Sequence, residues 1–204
     1  MKTKTQEKFD KIINEGFQNI LKPFGFKKKG NNFYLQLDGL GQIINIQKSK
    51  WSTKDEISFT INTGVFVPEY WSVFYNYQNA EIPKFPTEPV CLIRKRIGEI
   101  RKQNDTWYDL KNNTDENIII EEMKTNVRTF VLPYFENINT KGKLILELEK
   151  GNLLVSPSLS KMLVFAELNE LDKAKTEYKM LINEQNNPNF LIRVREYGIK
   201  YNLV

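Results

Sequence analysis

The spacing of apolar residues changes period once, near residue 30, and that change restricts the fold more than any other feature of the chain. Before it, Phe9, Ile12, Ile13, Phe17, Ile20 and Leu21 recur at three- and four-residue intervals, the stripe of an amphipathic helix. Pro23 and Gly25 end that helix. After it, across 32–67, apolar and polar residues alternate: Phe33, Leu35 and Leu37, then Ile44 and Ile46, then Ile57, Phe59, Ile61 and Val65. A period of two belongs to strands with one buried face. The breaks at Gly39-Leu40-Gly41 and Ser52-Thr53-Lys54-Asp55 are short, which favours an antiparallel meander over crossovers.

Pro68 closes the third strand, and a short helix is expected over 69–75. Pro83, Pro86 and Pro89 make the second half of the aromatic-rich segment 68–89 a loop, with a fourth strand expected over 91–97. Thr114 then stands as an N-cap, Asp115 and Glu116 suit the positive helix end, and Ile119, Met123, Val127, Phe130, Val131 and Tyr134 continue a helical stripe. This helix is expected to pack on the sheet and to end or kink near Pro133. From about Asn139 the composition turns to Leu, Lys, Glu and Ala, and helices are expected over 143–150, 158–168, 173–183 and 189–200. Asp172 is the expected N-cap of the third, which pairs with the second as an α-hairpin. Ala174 and Tyr178 are spaced as in the second helix of a tetratricopeptide unit, but one hairpin has no neighbours to stack on, and local packing explains the pair. The expected fold is α+β: an N-terminal helix, an antiparallel sheet of about four strands with a helix packed on it, then a helical C-terminal region. The expected division is a module over 1–138 and an all-helical region over 139–204, docked on it because the NINTKGK connection is short and Leu144, Leu146 and Leu148 offer apolar surface.

The 204 residues contain no histidine. Histidine is the usual proton-transfer group near neutral pH and the commonest transition-metal ligand, so much enzyme chemistry falls away. Cys91, the single cysteine, has no imidazole to activate it, and no His/Cys cluster exists for zinc. No cofactor or metal site is read from the sequence, although carboxylate, lysine, tyrosine or arginine chemistry and oxygen-bound magnesium survive this test. Cys91 is expected to be a buried structural thiol sharing an alternate-residue face with Ile93 and Ile97. One cysteine, no run of eighteen apolar residues and a charged start place the chain in the cytoplasm, with no membrane partner. The net charge of +5 is local: residues 1–50 hold 10 Lys and 4 acids, leaving the rest close to neutral. With 24 Lys against 6 Arg, the basic surface is of the type that is poor at bidentate recognition.

Six short motifs, GFKKKGNNFY (25–34), INIQKS (44–49), FTINTGVF (59–66), CLIRKRIG (91–98), DTWY (105–108) and VLPYF (131–135), resemble in order and spacing the bacterial domain-of-unknown-function family numbered 4304. The resemblance covers about 9–135 and leaves the helical tail outside. It implies a single α+β module and no catalytic residues to carry over.

Gly39-Leu40-Gly41 lacks the further glycine and the Lys-Ser/Thr of a phosphate loop and reads as a hairpin turn. Glu99, Asp105 and Asp109 near Trp107 are read as solvated or capping carboxylates, and Trp51, Trp71 and Trp107 as packing residues. Lys27, Lys28 and Lys29, with Lys48 and Lys50 on a neighbouring strand, form either a charged edge that protects the sheet from pairing or an anion patch. Alternation places Tyr34 and Gln36, then Asn45, Gln47, Ser49 and Trp51, then Ser58, Thr60 and Asn62, on the face opposite the apolar residues. Arg94 and Arg96 share a face of the fourth strand. Amides, hydroxyls and paired arginines suit an anionic or amide-rich ligand, unless a loop or helix covers them and satisfies them internally. Three function classes follow: a non-catalytic protein-binding module, for example one that neutralises a toxin; a nucleic-acid binder using the Lys-rich N-terminal region; and a histidine-free enzyme.

Overall fold

The computed structural model describes residues 1–75, 81–151, 153, 154 and 157–204. The part of the expected proline loop at 76–80 lies outside the described residues. Six strands form one antiparallel sheet: β1 (Lys27–Lys29), β2 (Asn32–Leu37), β3 (Leu40–Lys48), β4 (Glu56–Phe66), β5 (Ile93–Arg96) and β6 (Tyr108–Lys111). The order is β1-β2-β3-β4-β5, and β6 shares the outer edge of β4 with β5, pairing Glu56 to Phe59 of β4 while β5 pairs Asn62 to Val65. The register sets Phe33 beside Ile44 and Ile46 beside Ile61, so the apolar alternates fall on one face.

Two long helical runs cover that face. The first is α-helical over Lys4–Lys11, π-helical over Ile12–Gln18 and α-helical again over Asn19–Leu21. A capping box of Thr3 and Gln6 starts it, and Gly25, at φ +88°, ends it in a conformation that suits glycine. The second runs through Glu116–Thr125, a π-helical stretch Asn126–Val131, and Leu132–Glu136. Pro133 is accommodated as the second residue of that last segment, directly after the π stretch. The runs approach closely because Gly16 has no side chain: a Cβ there would lie 2.9 Å from Cβ of Met123. Phe9 meets Phe59 edge-on at 5.4 Å, Phe17 stacks with Phe33, and Phe26 stacks with Phe135. Phe9, Phe17, Phe33, Phe59 and Phe135 are among the largest fully buried side chains, and the apolar area they remove from water fixes helices to sheet.

The C-terminal helices are Lys141–Glu149, Leu159–Glu167, Leu171–Glu184 and Pro188–Lys200, the first two capped by Thr140 and Ser158 and the last by Asn187. Leu144, Leu148, Met162, Phe165, Leu181 and Val194 are buried in the same apolar cluster as the helix-covered face of the sheet. Leu159–Glu167 packs on a short helix, Pro68–Phe74, that follows β4. Across the hairpin, Lys161 and Glu177 form a buried ion pair at 2.8 Å, and Glu177 also accepts from the Ser158 N–H.

Several expectations are corrected. Asp115, not Thr114, caps the second long helix by accepting from the Asn117 N–H, and Thr114 instead accepts from the Lys111 N–H. Asp172 lies inside its helix, whose N-cap is Glu170. The fourth expected strand is shorter, at Ile93–Arg96, and β1 and β6 were not expected. Cys91 is buried, but it packs with Tyr34, Ile43, Phe66 and Trp71 on the side of the sheet opposite Ile93, because the chain joins β5 only at Ile93. Of the three tryptophans only Trp71 packs; Trp107 is partly exposed and Trp51 is 80% exposed.

Candidate functional site

The face turned away from the long helices divides into an apolar half and a polar half. In the apolar half, Tyr34, Ile43 and Phe66 are closed over by Trp71 and Cys91, with Phe85 tilted against Tyr34 at 5.4 Å. Gly64 makes room for the thiol: a Cβ there would lie 2.6 Å from Sγ of Cys91. Burial, and next the Glu88 carboxylate, push the Cys91 thiol well above its ordinary range, so it is not a nucleophile near neutral pH. Burial likewise raises Tyr34. Tyr34 and Gln36 line a separate cleft of about 440 Å³ with Lys27, Pro83 and Lys84.

The polar half is built by register. Asn32, Asn45, Asn62 and Arg96 stand directly opposite one another on β2, β3, β4 and β5, one row across the sheet. Cross-strand neighbours are close enough for short amides to bond sideways. Asn45 Nδ2 donates to Asn32 Oδ1 at 2.8 Å, and Asn62 Nδ2 donates to Asn45 Oδ1 at 3.3 Å and to Gln47 Oε1 at 2.7 Å. Thr60, fully buried, donates to the Thr106 carbonyl at 2.7 Å. The internal satisfaction considered from sequence therefore comes here from bonds along the sheet face and from the connection before β6.

At the β5 end of the row the charged groups converge. Arg94 holds Glu88 through Nε at 2.5 Å and through its terminal nitrogen at 3.3 Å, a forked contact to a carboxylate that is 8% exposed. The hydrogen bond with Glu88 raises Arg94 above its ordinary value. Arg96 donates to Asp105 and lies over the Trp107 ring at 5.5 Å, while Trp107 Nε1 donates to the same carboxylate at 3.1 Å. The Arg96 N–H donates to Glu99, so Glu99 caps the short helix Ile97–Ile100, as a capping carboxylate was expected to. Gln47, Asn62, Arg94 and Arg96 line one cleft of about 200 Å³ with Glu88 and Glu99. Arg94 remains about half exposed and Gln47 is exposed.

Other sequence-selected residues lie elsewhere. Ser49 and Trp51 stand past the end of β3, where Ser49 Oγ accepts from the Trp51 N–H. Lys27, Lys28 and Lys29 are the whole of edge strand β1, all exposed, with β2 between them and β3. Lys48 points to the helix-covered face, with Nζ 4.3 Å from the Phe9 ring centre, and Lys50 lies over Trp51. The five lysines thus do not share one edge. Sequence reasoning missed Asn32, Glu88 and the pairing of Asp105 with Arg96: Asn32 is legible only once register is known, and Glu88 sits among prolines with no periodic signal. Among the described residues no His, Cys, Asp and Glu grouping is of a kind that holds a metal ion, and no helix is long and apolar enough to cross a membrane. The groups this face presents are amides, a guanidinium fork and a guanidinium lying on an indole.

No curated protein and no solved structure matches the chain. A family model described as "Domain of unknown function (DUF4304)" matches residues 17–137, a span that holds all six strands, the second long helical run, the last turn of the first and every residue of the polar row. With well over half its length matched, and both faces of its sheet inside the match, this chain belongs to the DUF4304 family.

Proposed function

We propose that this protein is a non-catalytic, cytoplasmic binding module that takes a protein partner on the polar half of the second sheet face. The observation that carries this reading is the cleft where Gln47, Asn62, Arg94 and Arg96 converge. The row of asparagines satisfies itself sideways, so the face needs no cover to be stable, and Gln47 and Arg94 stay exposed to a partner. A segment presenting carboxylates and backbone amides suits these groups: guanidinium forks take carboxylates, and amides pair with peptide groups. Trp51, exposed beyond β3, supplies an aromatic of the kind that anchors protein interfaces. The nucleic-acid reading is less favoured because the lysines are dispersed: Lys48 lies on Phe9, Lys50 lies over Trp51, and β1 lies at the far edge of the sheet.

Residues 139–204 are read as docked on the module, supported by the burial of Leu144 and Leu148 and by the ion pair of Lys141 with Glu69. The binding reading is tested by quantitative capture from native host cells with tagged wild type and with Gln47→Glu. The exposed substitution leaves folding intact, places a carboxylate in the cleft, and is expected to reduce recovery of an acidic-segment partner at least tenfold. Equal recovery by both proteins, or nucleic acid whose retention falls steeply with salt, overturns it.

A further inference from the structure

We propose that a second site, for an uncharged, ring-containing small molecule bearing a carbonyl-type acceptor, lies on the opposite side of β5, in a cleft of about 360 Å³ between the family module and the helical tail. Its size is that of a pocket for a one- or two-ring ligand. Phe130, Pro133, Ile138 and Leu153 give it apolar walls, the last two from beyond the matched family span. Tyr134 lines the same cleft, and its hydroxyl oxygen is shielded from solvent without a hydrogen-bond partner. Buried hydroxyls are ordinarily bonded, so an unpartnered one in a cavity wall marks a position where a ligand atom completes the structure. Burial, and next the Glu99 carboxylate that lines the same cleft, raise the phenol far above its ordinary value. The group therefore keeps its proton and acts as a donor, which selects an acceptor on the ligand. Lys95 and Lys102 are matched in the lining by Glu99 and Glu147, so the cleft carries no net charge to attract an ion, and its apolar walls favour a ring.

The test uses acetophenone as the acceptor-bearing ring, ethylbenzene as its apolar counterpart and benzoate as the anion, titrated into the full ¹⁵N-labelled chain. Acetophenone is expected to shift amides within 129–138 and at 153, and to bind roughly fivefold to tenfold more tightly than ethylbenzene, the difference one neutral hydrogen bond makes; benzoate should bind least. In Tyr134→Phe the acetophenone affinity should fall to that of ethylbenzene while the melting temperature holds or rises, since the lost hydroxyl had no partner. Absence of shifts in this segment, shifts centred elsewhere, or unchanged acetophenone binding by Tyr134→Phe overturns the proposal. Should that variant fail to fold, equal binding of acetophenone and ethylbenzene by the wild type overturns it, and the expected preference supports it.

Discussion

The two faces of this sheet are made by the same strands and solve opposite problems. The helix-covered face places Phe33, Ile44, Ile46, Phe59 and Ile61 against two long helical runs, and its stability comes from area removed from water. The other face seals only its Tyr34, Ile43 and Phe66 half, and in the remainder its amides bond to one another across the strands. An apolar surface must be covered to be stable; a laterally bonded polar one need not be. The alternation that builds the core therefore also leaves a surface whose amides are fixed in position and whose Gln47 and Arg94 stay reachable.

This contrast sets the order of expected mutational effects. Phe59→Ala, which removes a fully buried ring packed on Phe9 and Tyr108, should cost about 3–5 kcal/mol by urea unfolding, whereas Gln47→Ala, which takes away one of the two acceptors of the buried Asn62 amide, should cost about 1 kcal/mol. In the same experiment the sheet and helical tail should unfold in one transition, because Leu144 and Leu148 share the core cluster; two separated transitions would contradict docking. Next in size is Arg94→Gln, which strands the buried Glu88 carboxylate and should cost about 2 kcal/mol, less than a fully buried pair because Arg94 is half exposed. Glu88→Gln in the same chain should restore most of that loss; failure to do so would mean that Arg94 acts through packing alone.

The smallest effect concerns acid stability. Glu116 is lowered from 4.5 to about 2, first by the backbone N–H at the helix start and then by Lys8, whose ammonium lies 3.1 Å away. A lowered folded value means that the contribution is fully present above about pH 4.5 and is lost as pH falls through about 2. Glu116→Gln should flatten the fall in stability across that window by about 1 kcal/mol or less, measured as unfolding midpoints from pH 5 to pH 2. An unchanged slope would sink this assignment.

The sequence was most legible where burial wrote a period into it. Phe9 through Leu21, the meander from Phe33 to Val65, and the stripe from Ile119 to Tyr134 all carry unbroken spacing, and the structure places them as that spacing implies. Legibility failed where pairing alone makes a strand. β1 is three lysines with no apolar alternate, and it exists because Lys27 to Lys29 pair back on Asn32 to Tyr34. β6 is only four residues long, and its alternates Tyr108 and Leu110 are too few to register as a period. Counting from Ile93 gives Cys91 a side, but β5 begins at Ile93, and before a strand begins, parity says nothing about side. At the candidate site, the residue types were visible, but not the row that joins Asn32, Asn45, Asn62 and Arg96. That row depends on register between four strands, which local spacing does not encode.

The most direct measurement is site-specific photocrosslinking in native host cells, with a benzoylphenylalanine placed at Gln47 on the polar face or at Ile118, an exposed residue of the second long helical run. The account predicts a discrete protein adduct from position 47 that is absent from position 118 and is lost when Arg96→Gln is added. Equal labelling from both positions, or an adduct only from 118, would contradict it.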